Sequence, residues 1–532
     1  MTSYFYWLAP ELVVALGAAV VLMLGLLRNR EVADASPWAA LVTLLAAAAV
    51  LLLQVGRSDA DIHLVGVHLT SLAWYVRLIT IGVGLLILLV NLHLPEADVR
   101  AEYAAMVLAS VLGLMLVALA DDLVVFFLAL ELVSVPTYVL VAAGSPDVRA
   151  QEAGVKYFFL GALAAAILVY GFSFLYGASG TMVLSDMTGN LHWSNPYVMI
   201  GILLAFGGLT YKLAAVPFYS YAPDVYQGAA SPVTGLLGFL PKCAGFVALI
   251  KLLTLIVPVP IDAAPNVWLA PDTLFWLIWI VAALTMTIGN CLALMQTNVK
   301  RILAYSSVAH SGYMLIGILV GPTAAGDPLR DGWSAVLFYI AAYGVMNLGA
   351  FAVLAYLRVH NKPVEEIDDI AGLAQVHPTA AIAMALCLFS LMGMPPTVGF
   401  FGKVFIFSGA LAVSAEHPHA YEMKVLAVIG VLNAAVAAAY YLRVIGACYL
   451  REPREYMAKV PDRALRLGMA LCMVFVIMVG IWPRELVRRA SDATEHIRLP
   501  LLSLTRSFNA SNDRGPSAPP RANDDENDPH RS

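Results

Sequence analysis

LLAFGGLTYKLAAVPFYSYAPDVYQGAASPVTGLLGFLPKCAGF, residues Leu203–Phe246, decides the fold. It reads as a membrane helix, an amphipathic connection and a second membrane helix. Each helix carries one lysine in apolar company. Lys212 sits among Leu, Gly, Ala and Val, five residues before Pro217, and Lys242 sits among Leu240, Pro241, Ala244 and Phe246. A cation at mid-bilayer depth costs roughly 2.5–3.5 kcal/mol on insertion scales, so two on neighbouring helices call for a function, usually an ion or proton path.

Composition agrees with a membrane reading. Of the 532 residues 61% are hydrophobic and only 13% charged, with a mean hydropathy of +0.80. A soluble chain carries about 25% charged residues. The net charge of −5 gives no nucleic-acid signal. The cysteines at 243, 291, 387, 448 and 472 lie singly, without metal spacing, and read as small buried hydrophobes. The first apolar run, 5–27, lacks a basic lead and a cleavage site and reads as a retained helix.

A span takes about 20 apolar residues. That places helices at 5–27, 38–56, 73–94, 102–120, 122–143, 153–177, 197–217, 231–256, 272–295, 299–320, 332–357, 378–413, 420–447 and 465–483, about fourteen in all. The expected class is an all-α polytopic membrane protein with helices broken at 207–217 and 393–403. Residues 61–71 alternate weakly and read as a hairpin outside the bilayer; residues 484–532 read as a polar, disordered tail. Arginine and lysine concentrate in the odd-numbered loops, including Arg100, Arg149, Lys300, Arg301, Arg358 and Arg451. The positive-inside rule makes those loops cytoplasmic and sets both termini on the periplasmic side. Two halves look related: Gly207–Lys212–Pro217 breaks one helix, and Gly393-Met394-Pro395-Pro396 followed by Lys403 breaks another. Paired broken helices suggest inverted repeats with a site at their interface.

Glu131 and His310 join Lys242 deep in apolar helices. At a rise of 1.5 Å per residue, Glu131 lies about 13 Å beyond Asp122, Lys242 about 16 Å beyond Ser231, and His310 about 15 Å beyond Lys300. Lys212 and Lys403 sit beside helix breaks. Similar depths suggest a row along the membrane plane rather than a pore across it. Glu131 and Lys212 form the natural ion pair, Lys242 and His310 suit a relay, and Lys403 ends the row. Each has a plainer reading: a structural ion pair for Glu131, snorkelling for the lysines, a helix-packing hydrogen bond for His310. Lys156 and Lys251, nearer helix ends, read as anchors, and Arg77 as interfacial. No dinucleotide or P-loop glycine motif, and no HExxH, is present, so electron transfer would fall to partner chains.

The segments LELVSVPTYVL (130–140), TYKLAAVPFYSYAPDVYQGAASPVT, FLPKCAGF, VKRILAYSSVAHSGY and GMPPTVGFFGKVFIF resemble the antiporter-like membrane subunits of respiratory complex I, whose core the Mrp cation/proton antiporters share. The APDVYQGAASPVT loop with FLPK, a lysine at 403, and an end after about fourteen spans point to the N type. One departure is Tyr219-Ser220-Tyr221, where relatives often carry His and Trp. The resemblance implies helices at 1–101, two inverted five-helix repeats at 102–256 and 272–447, and a last helix at 448–483. It implies a proton-translocating subunit in a bacterial inner membrane, with no cofactor in this chain. FMN, iron–sulfur clusters and quinone would belong to the complex, and the partners would be other membrane subunits and, through them, an NADH-oxidising arm. By motif position Glu131 would be the coupling carboxylate, Lys212 its partner, Lys242 the central relay, His310 an intermediate one and Lys403 the terminal lysine. The alternatives are an Mrp-type antiporter or membrane-bound hydrogenase subunit, and a non-conducting scaffold.

Overall fold

The computed structural model describes residues 2–27, 30–54, 62–64, 66–92, 99–144, 147–187, 191–256, 270–322, 330–359, 362–415, 417–453 and 457–495. The chain opens with a short α1 (Thr2–Trp7), then α2 (Ala9–Gly25) and α3 (Arg30–Leu53). A small antiparallel hairpin follows, β1 (Ile62–Leu64) on β2 (Val67–Leu69), with Gly66 in the left-handed region at its turn. This is the hairpin expected from the alternation at 61–71. Next come α4 (Ser71–Asn91), α5 (Arg100–Leu119), α6 (Leu123–Ala143), α7 (Val148–Ser179) and the single turn α8 (Leu184–Met187). The opening stretch becomes α9 (Pro196–Lys212), α10 (Ala222–Gly228), α11 (Ser231–Leu237) and α12 (Leu240–Thr254).

The second half runs through α13 (Asp272–Leu294), α14 (Val299–Val320) and α15 (Gly332–Tyr356). Strands β3 (Leu357–Val359) and β4 (Lys362–Pro363) and the short α16 (Leu373–Val376) lead to α17 (Pro378–Met392) and α18 (Val398–Leu411). The described chain ends with α19 (Ala420–Leu450), β5 (Met457–Lys459), α20 (Arg463–Ile481) and a helix over 484–495, here α21. Among the described residues eleven helices are long and apolar enough to cross a membrane. The shorter apolar pieces α2, α9, α17 and α18 fall where the sequence places spans 5–27, 197–217 and 378–413.

Helix starts follow from capping chemistry. Side chains of Thr70, Asp122, Asp147, Asn195, Asn298, Asp331 and Asp462 accept backbone N–H bonds at the first turns of α4, α6, α7, α9, α14, α15 and α20. Each cap satisfies donors that a helix leaves unpaired at its start. The helices differ sharply in burial. In α14 and α15 every residue of the most apolar stretch is buried, whereas in α3 and α7 only 33% is. The middle of the molecule is therefore α12, α14 and α15, and α3 and α7 are rim helices.

The loops of one face are tied together. Strand β3 pairs with both β4 and β5, Val299 N donates to Glu365 O, and Arg149 bridges to Glu365 at 3.2 Å. Arg301 bridges to Asp224 of α10 at 2.8 Å, and Lys156 reaches the same carboxylate at 3.0 Å. Burial pushes the Asp224 carboxyl up, but hydrogen bonds from Arg301 and Lys156 prevail and hold it below the ordinary value. These are odd-numbered loops, as alternating spans require.

Four expectations change. Arg77 is not interfacial: it is 1% exposed and grips Glu11 of α2 with bonds of 2.7 and 2.8 Å, a third bond reaching Trp7 O. Glu11 is only two residues past the start of α2, so in sequence it looks like an end residue. Lys251 is not a free anchor. Its Nζ donates to Val117, Ala118 and Ala120 carbonyls at the end of α5, where the helix leaves acceptors unpaired. Lys300, counted with the cytoplasmic loop charges at the start of span 299–320, is buried in the first turn of α14, donating to Gln227 O and Ala229 O at the end of α10. The tail expected over 484–532 begins as helix α21, with Ala490, Ala493 and Thr494 buried and Thr494 hydrogen-bonded to Ser334 at 2.8 Å. Small residues let this charged helix dock. Residues 496–532 lie outside the described residues.

Removing one partner of a buried pair leaves a bare charge, which costs about 3–5 kcal/mol. Arg77→Leu is expected to lower the thermal stability of the assembled protein by that order, and the double variant Glu11→Gln/Arg77→Leu to recover most of it. Melting of the purified assembly measures both.

Candidate functional site

The two lysines of the opening stretch and the third, Lys403, meet different backbone devices. Lys212 is the last residue of α9, which stays helical through Gly207 and Gly208. The break therefore spans 213–221 rather than 207–217, and Pro217 lies inside it. In the second half α17 stops at Met392 and α18 starts at Val398, with Pro395 and Pro396 in the gap. Lys403 lies in α18, but its side chain folds back and Nζ donates to Met392 O at 2.8 Å. Helix C-termini carry unpaired carbonyls and a partial negative charge, so a broken helix offers a cation a partner in mid-membrane.

A third break was missed. The span read as continuous over 231–256 is interrupted between α11 and α12, and Lys242 sits just past the interruption. A Cβ on Gly238 would fall 2.0 Å from Asn347 Nδ2, so the missing side chain is what admits the α15 amide. Gly238 and Pro241 carried the signal, but glycine is common enough in membrane helices to pass unnoticed.

The row is buried. Lys212, Lys242, His310 and Lys403 are exposed by 6, 3, 1 and 5%. Lys212 Nζ donates to Glu131 Oε1 at 3.1 Å, to Ser134 Oγ at 2.6 Å and to Leu130 O at 3.3 Å. Glu131 and Ser134, three apart on α6, share one helix face. The Glu131 side chain keeps 20% exposure, on the outer side of α6. Lys242 Nζ donates to Ser307 O at 2.5 Å and to Ser307 Oγ at 2.7 Å, and the Tyr226 hydroxyl of α10 lies 3.3 Å from the same Oγ. Ser311 Oγ donates to Leu213 O at 2.5 Å, tying α14 to the break beside Lys212.

His310 is held at both ring nitrogens. Nδ1 lies 2.6 Å from the Tyr339 hydroxyl and Nε2 3.1 Å from the Tyr441 hydroxyl, which also bonds Ser306. Three tyrosine rings surround the imidazole, Tyr313, Tyr339 and Tyr343, at centroid distances of 5.7, 5.7 and 5.0 Å. Two of them are shared. Lys242 Nζ stands 5.2 Å from the Tyr343 ring, and Lys403 Nζ stands 5.0 Å from the Tyr313 ring. The contacts run Lys242–Tyr343–His310–Tyr313–Lys403 without interruption. An ammonium over a desolvated ring gains about 0.5–2 kcal/mol, which offsets part of its burial. The tyrosines were not singled out from sequence, although Tyr339 and Tyr343 sit four apart on one face of α15.

The site thus unites Lys242, His310 and Lys403 by shared rings and Glu131 with Lys212 by an ion pair. Pro217, Pro395 and Pro396 shape the breaks and contribute no polar group to the row. Tyr221 donates from its hydroxyl to Tyr211 O at 2.9 Å and stacks on Tyr157. Such a set can accept, hold and pass protons: three titratable types, carboxylate, ammonium and imidazole, in a buried core. Among the described residues no three His, Cys, Asp or Glu side chains gather as a metal site would need.

Comparison with known proteins follows this geometry. A family model described as "NADH:quinone oxidoreductase/Mrp antiporter, TM" matches residues 120–430. The NADH-quinone oxidoreductase subunit N of Paramagnetospirillum magneticum is 34% identical over 91% of this chain and 96% of its own length. The chain belongs to the NADH-quinone oxidoreductase subunit N family. A second relative, NADH-quinone oxidoreductase subunit N 2 of Roseiflexus castenholzii, is 39% identical over 75% of this chain and 78% of its own length. Among solved structures, a chain of respiratory complex I from Thermus thermophilus superposes with a TM-score of 0.73 at 28% identity, covering 90% of this chain and 98% of that one.

The break at 393–397 depends on a close approach. A Cβ on Gly399 would fall 1.9 Å from Ser390 O, a backbone atom with no room to yield. Gly399→Ala is therefore expected to destabilise by roughly 1–3 kcal/mol and to lower the yield of assembled protein. Gly207→Ala meets nothing nearer than Ile167 Cγ2 at 3.9 Å and removes a helix-interior glycine. It is expected to be neutral or stabilising by up to about 1 kcal/mol. Melting temperatures of the two variants decide the matter.

Proposed function

We infer that the chain is the N-type membrane subunit of an NADH–quinone oxidoreductase and that it carries protons through the row Glu131, Lys212, Lys242, His310 and Lys403. The observation that carries this reading is the unbroken contact from Lys242 through Tyr343, His310 and Tyr313 to Lys403 in the most buried helices. A row of titratable groups at one membrane depth moves charge along the plane, each group changing protonation as its neighbour gains or loses a charge. Glu131 is the input. When Lys212 leaves Glu131 for another partner, the lysine loses the charge that stabilises it and hands its proton inward. Ser307 holds Lys242, and His310, with a hydroxyl at each ring nitrogen, bridges the two lysines. Lys403, fixed on the Met392 carbonyl, is the output.

In this reading the chain has no redox centre. FMN, the iron–sulfur clusters and quinone reside in partner subunits, with the other membrane subunits as direct neighbours. The arginine-rich odd loops face the cytoplasm of a bacterial inner membrane and both termini face the periplasm. The broken helices at 213–221 and 393–397 are counterparts in inverted repeats spanning 102–256 and 272–447. The Mrp-type antiporter and hydrogenase readings use the same row, but the relatives that align over most of this chain carry subunit N names.

The test is proton pumping by the assembled complex in vesicles, driven by NADH with a soluble quinone. Lys242→Met is expected to cut the protons moved per NADH, or quinone reduction coupled to them, at least several-fold, with assembly on native gels unchanged. Glu131→Gln/Lys212→Met, which removes both charges of the pair together, is expected to do the same. Full pumping in both would make the chain a scaffold. Sodium-dependent proton exchange without NADH would make it an antiporter subunit.

A further inference from the structure

A groove far from the row remains unexplained. It encloses about 760 Å³ where the end of α3, the start of α4 and the end of α20 meet α21. Its walls are apolar, built from Leu52, Leu78, Met478, Trp482 and Leu486, and its polar edge is Glu485 and Arg489. This volume falls within the usual range of small-molecule sites. Leu52, Met478 and Trp482 are also outwardly exposed, as are Leu53 and Ile481 beside them, so the groove opens onto the apolar rim of the molecule.

The edge has its own chemistry. Trp74, a wall residue, stacks under the Arg489 guanidinium at 5.2 Å from the ring centroid. Its Nε1 is buried and has no hydrogen-bond partner among the described residues. Helix α21 holds three arginines, Arg484, Arg488 and Arg489, near its start, with Glu485 among them and Asp492 and Glu495 further along. Glu485 bonds both Arg488 and Arg489 at 2.9 Å and Asp492 also stabilises Arg488, which leaves a positive end at Arg484–Arg489 with more guanidinium groups than carboxylates. This cationic turn follows directly on the end of a membrane helix, at the depth of lipid headgroups.

We propose that this groove is a binding site for an anionic phospholipid, one acyl chain lying between α3, α4 and α20 and the phosphate resting on Arg488 and Arg489. The walls match an acyl chain, the guanidinium groups of Arg488 and Arg489 at its edge match the phosphate, and Trp74 belongs to the wall beside them, a residue type common at the headgroup level of bilayers. The site also fastens α21 to α4, because the lipid touches both.

The test uses the assembled complex in phosphatidylcholine nanodiscs with a trace of phosphatidylglycerol bearing a photoactivatable group in its acyl chain. After illumination, labelled peptides are mapped by mass spectrometry. Label is expected on peptides containing Leu52, Leu78 and Met478, displaced by excess unlabelled phosphatidylglycerol and not by phosphatidylcholine. Arg488→Gln/Arg489→Gln is expected to lower that label roughly tenfold and leave the label on the outward face of α7, around Phe159 and Leu163, unchanged. Trp74→Phe keeps the ring and is expected to give a smaller loss. Equal displacement by the two lipids overturns the proposal, and so does unchanged label in the double arginine variant. Cross-links from the groove to a partner subunit, or to the chain's own apolar residues 497–504, in place of lipid would also overturn it. If the double variant fails to assemble, the displacement result on the unaltered complex decides alone.

Discussion

Burying a cation in a core of packed helices is the constraint on which the rest of this structure depends. A carbonyl inside an unbroken helix is already bonded and offers such a charge only its second lone pair, as Leu130 O does to Lys212 and Ser307 O to Lys242. The chain meets the constraint by interrupting helices. Met392, at the end of a half-helix, gives its carbonyl to Lys403; the break after Lys212 brings that lysine beside Glu131 and Ser134; the break before Lys242 brings it to Ser307. Lys251 and Lys300, which lie off the row, follow the same rule on the ends of α5 and α10. A buried ion pair is seldom a net gain in stability. Several lysines held this way, beside a histidine, are better explained by what they conduct than by what they stabilise.

The tyrosines turn separate lysine sites into a row. A phenol ring is large enough to keep two cationic groups apart and polar enough at its face to favour both. Tyr343 stands between Lys242 and His310, and Tyr313 between His310 and Lys403. Hydroxyls of Tyr339 and Tyr441 occupy both imidazole nitrogens, so a proton on either nitrogen has an oxygen to meet. The buried Tyr343 hydroxyl and Asn347 Nδ2 have no hydrogen-bond partner among the described residues. Both adjoin Lys242: Tyr343 by its ring, Asn347 through the break at Gly238. A polar site of this kind is where internal water is held.

The chemistry of the row was legible in sequence, and its architecture was less so. Lys212, Lys242 and Lys403 stand out because an ammonium in an apolar run is rare, and the Glu131–Lys212 pair follows from depth alone. Pro217 and Pro395-Pro396 announce two breaks because proline cannot bond in a helix interior. The break at Gly238 is quieter, since Gly238 and Pro241 are its only local marks and the Asn347 amide that Gly238 makes room for comes from α15, more than a hundred residues away. The same holds for Arg77. Its partner Glu11 is identified only when α2 packs on α3 and α5 and comes within reach of the Arg77 side chain, and until then an arginine near a helix start reads as an interfacial anchor. The α21 helix was hidden by composition: its charges suggested a solvated tail, whereas two alanines and a threonine make its contact. The tyrosines were invisible for a different reason. In a membrane chain a tyrosine is more often at the rim than at the centre, and only tertiary packing brings Tyr313, Tyr339 and Tyr343 around one imidazole.

The central claim is that the five groups form one path, and the most direct measurement is a map of the assembled complex sharp enough to resolve ordered water. The account predicts waters bonded to Tyr343 and Asn347 and bridging Lys242, His310 and Lys403, with a further bridge from Lys212 toward Lys242. Apolar side chains filling those intervals, with no water between the lysines, would contradict it.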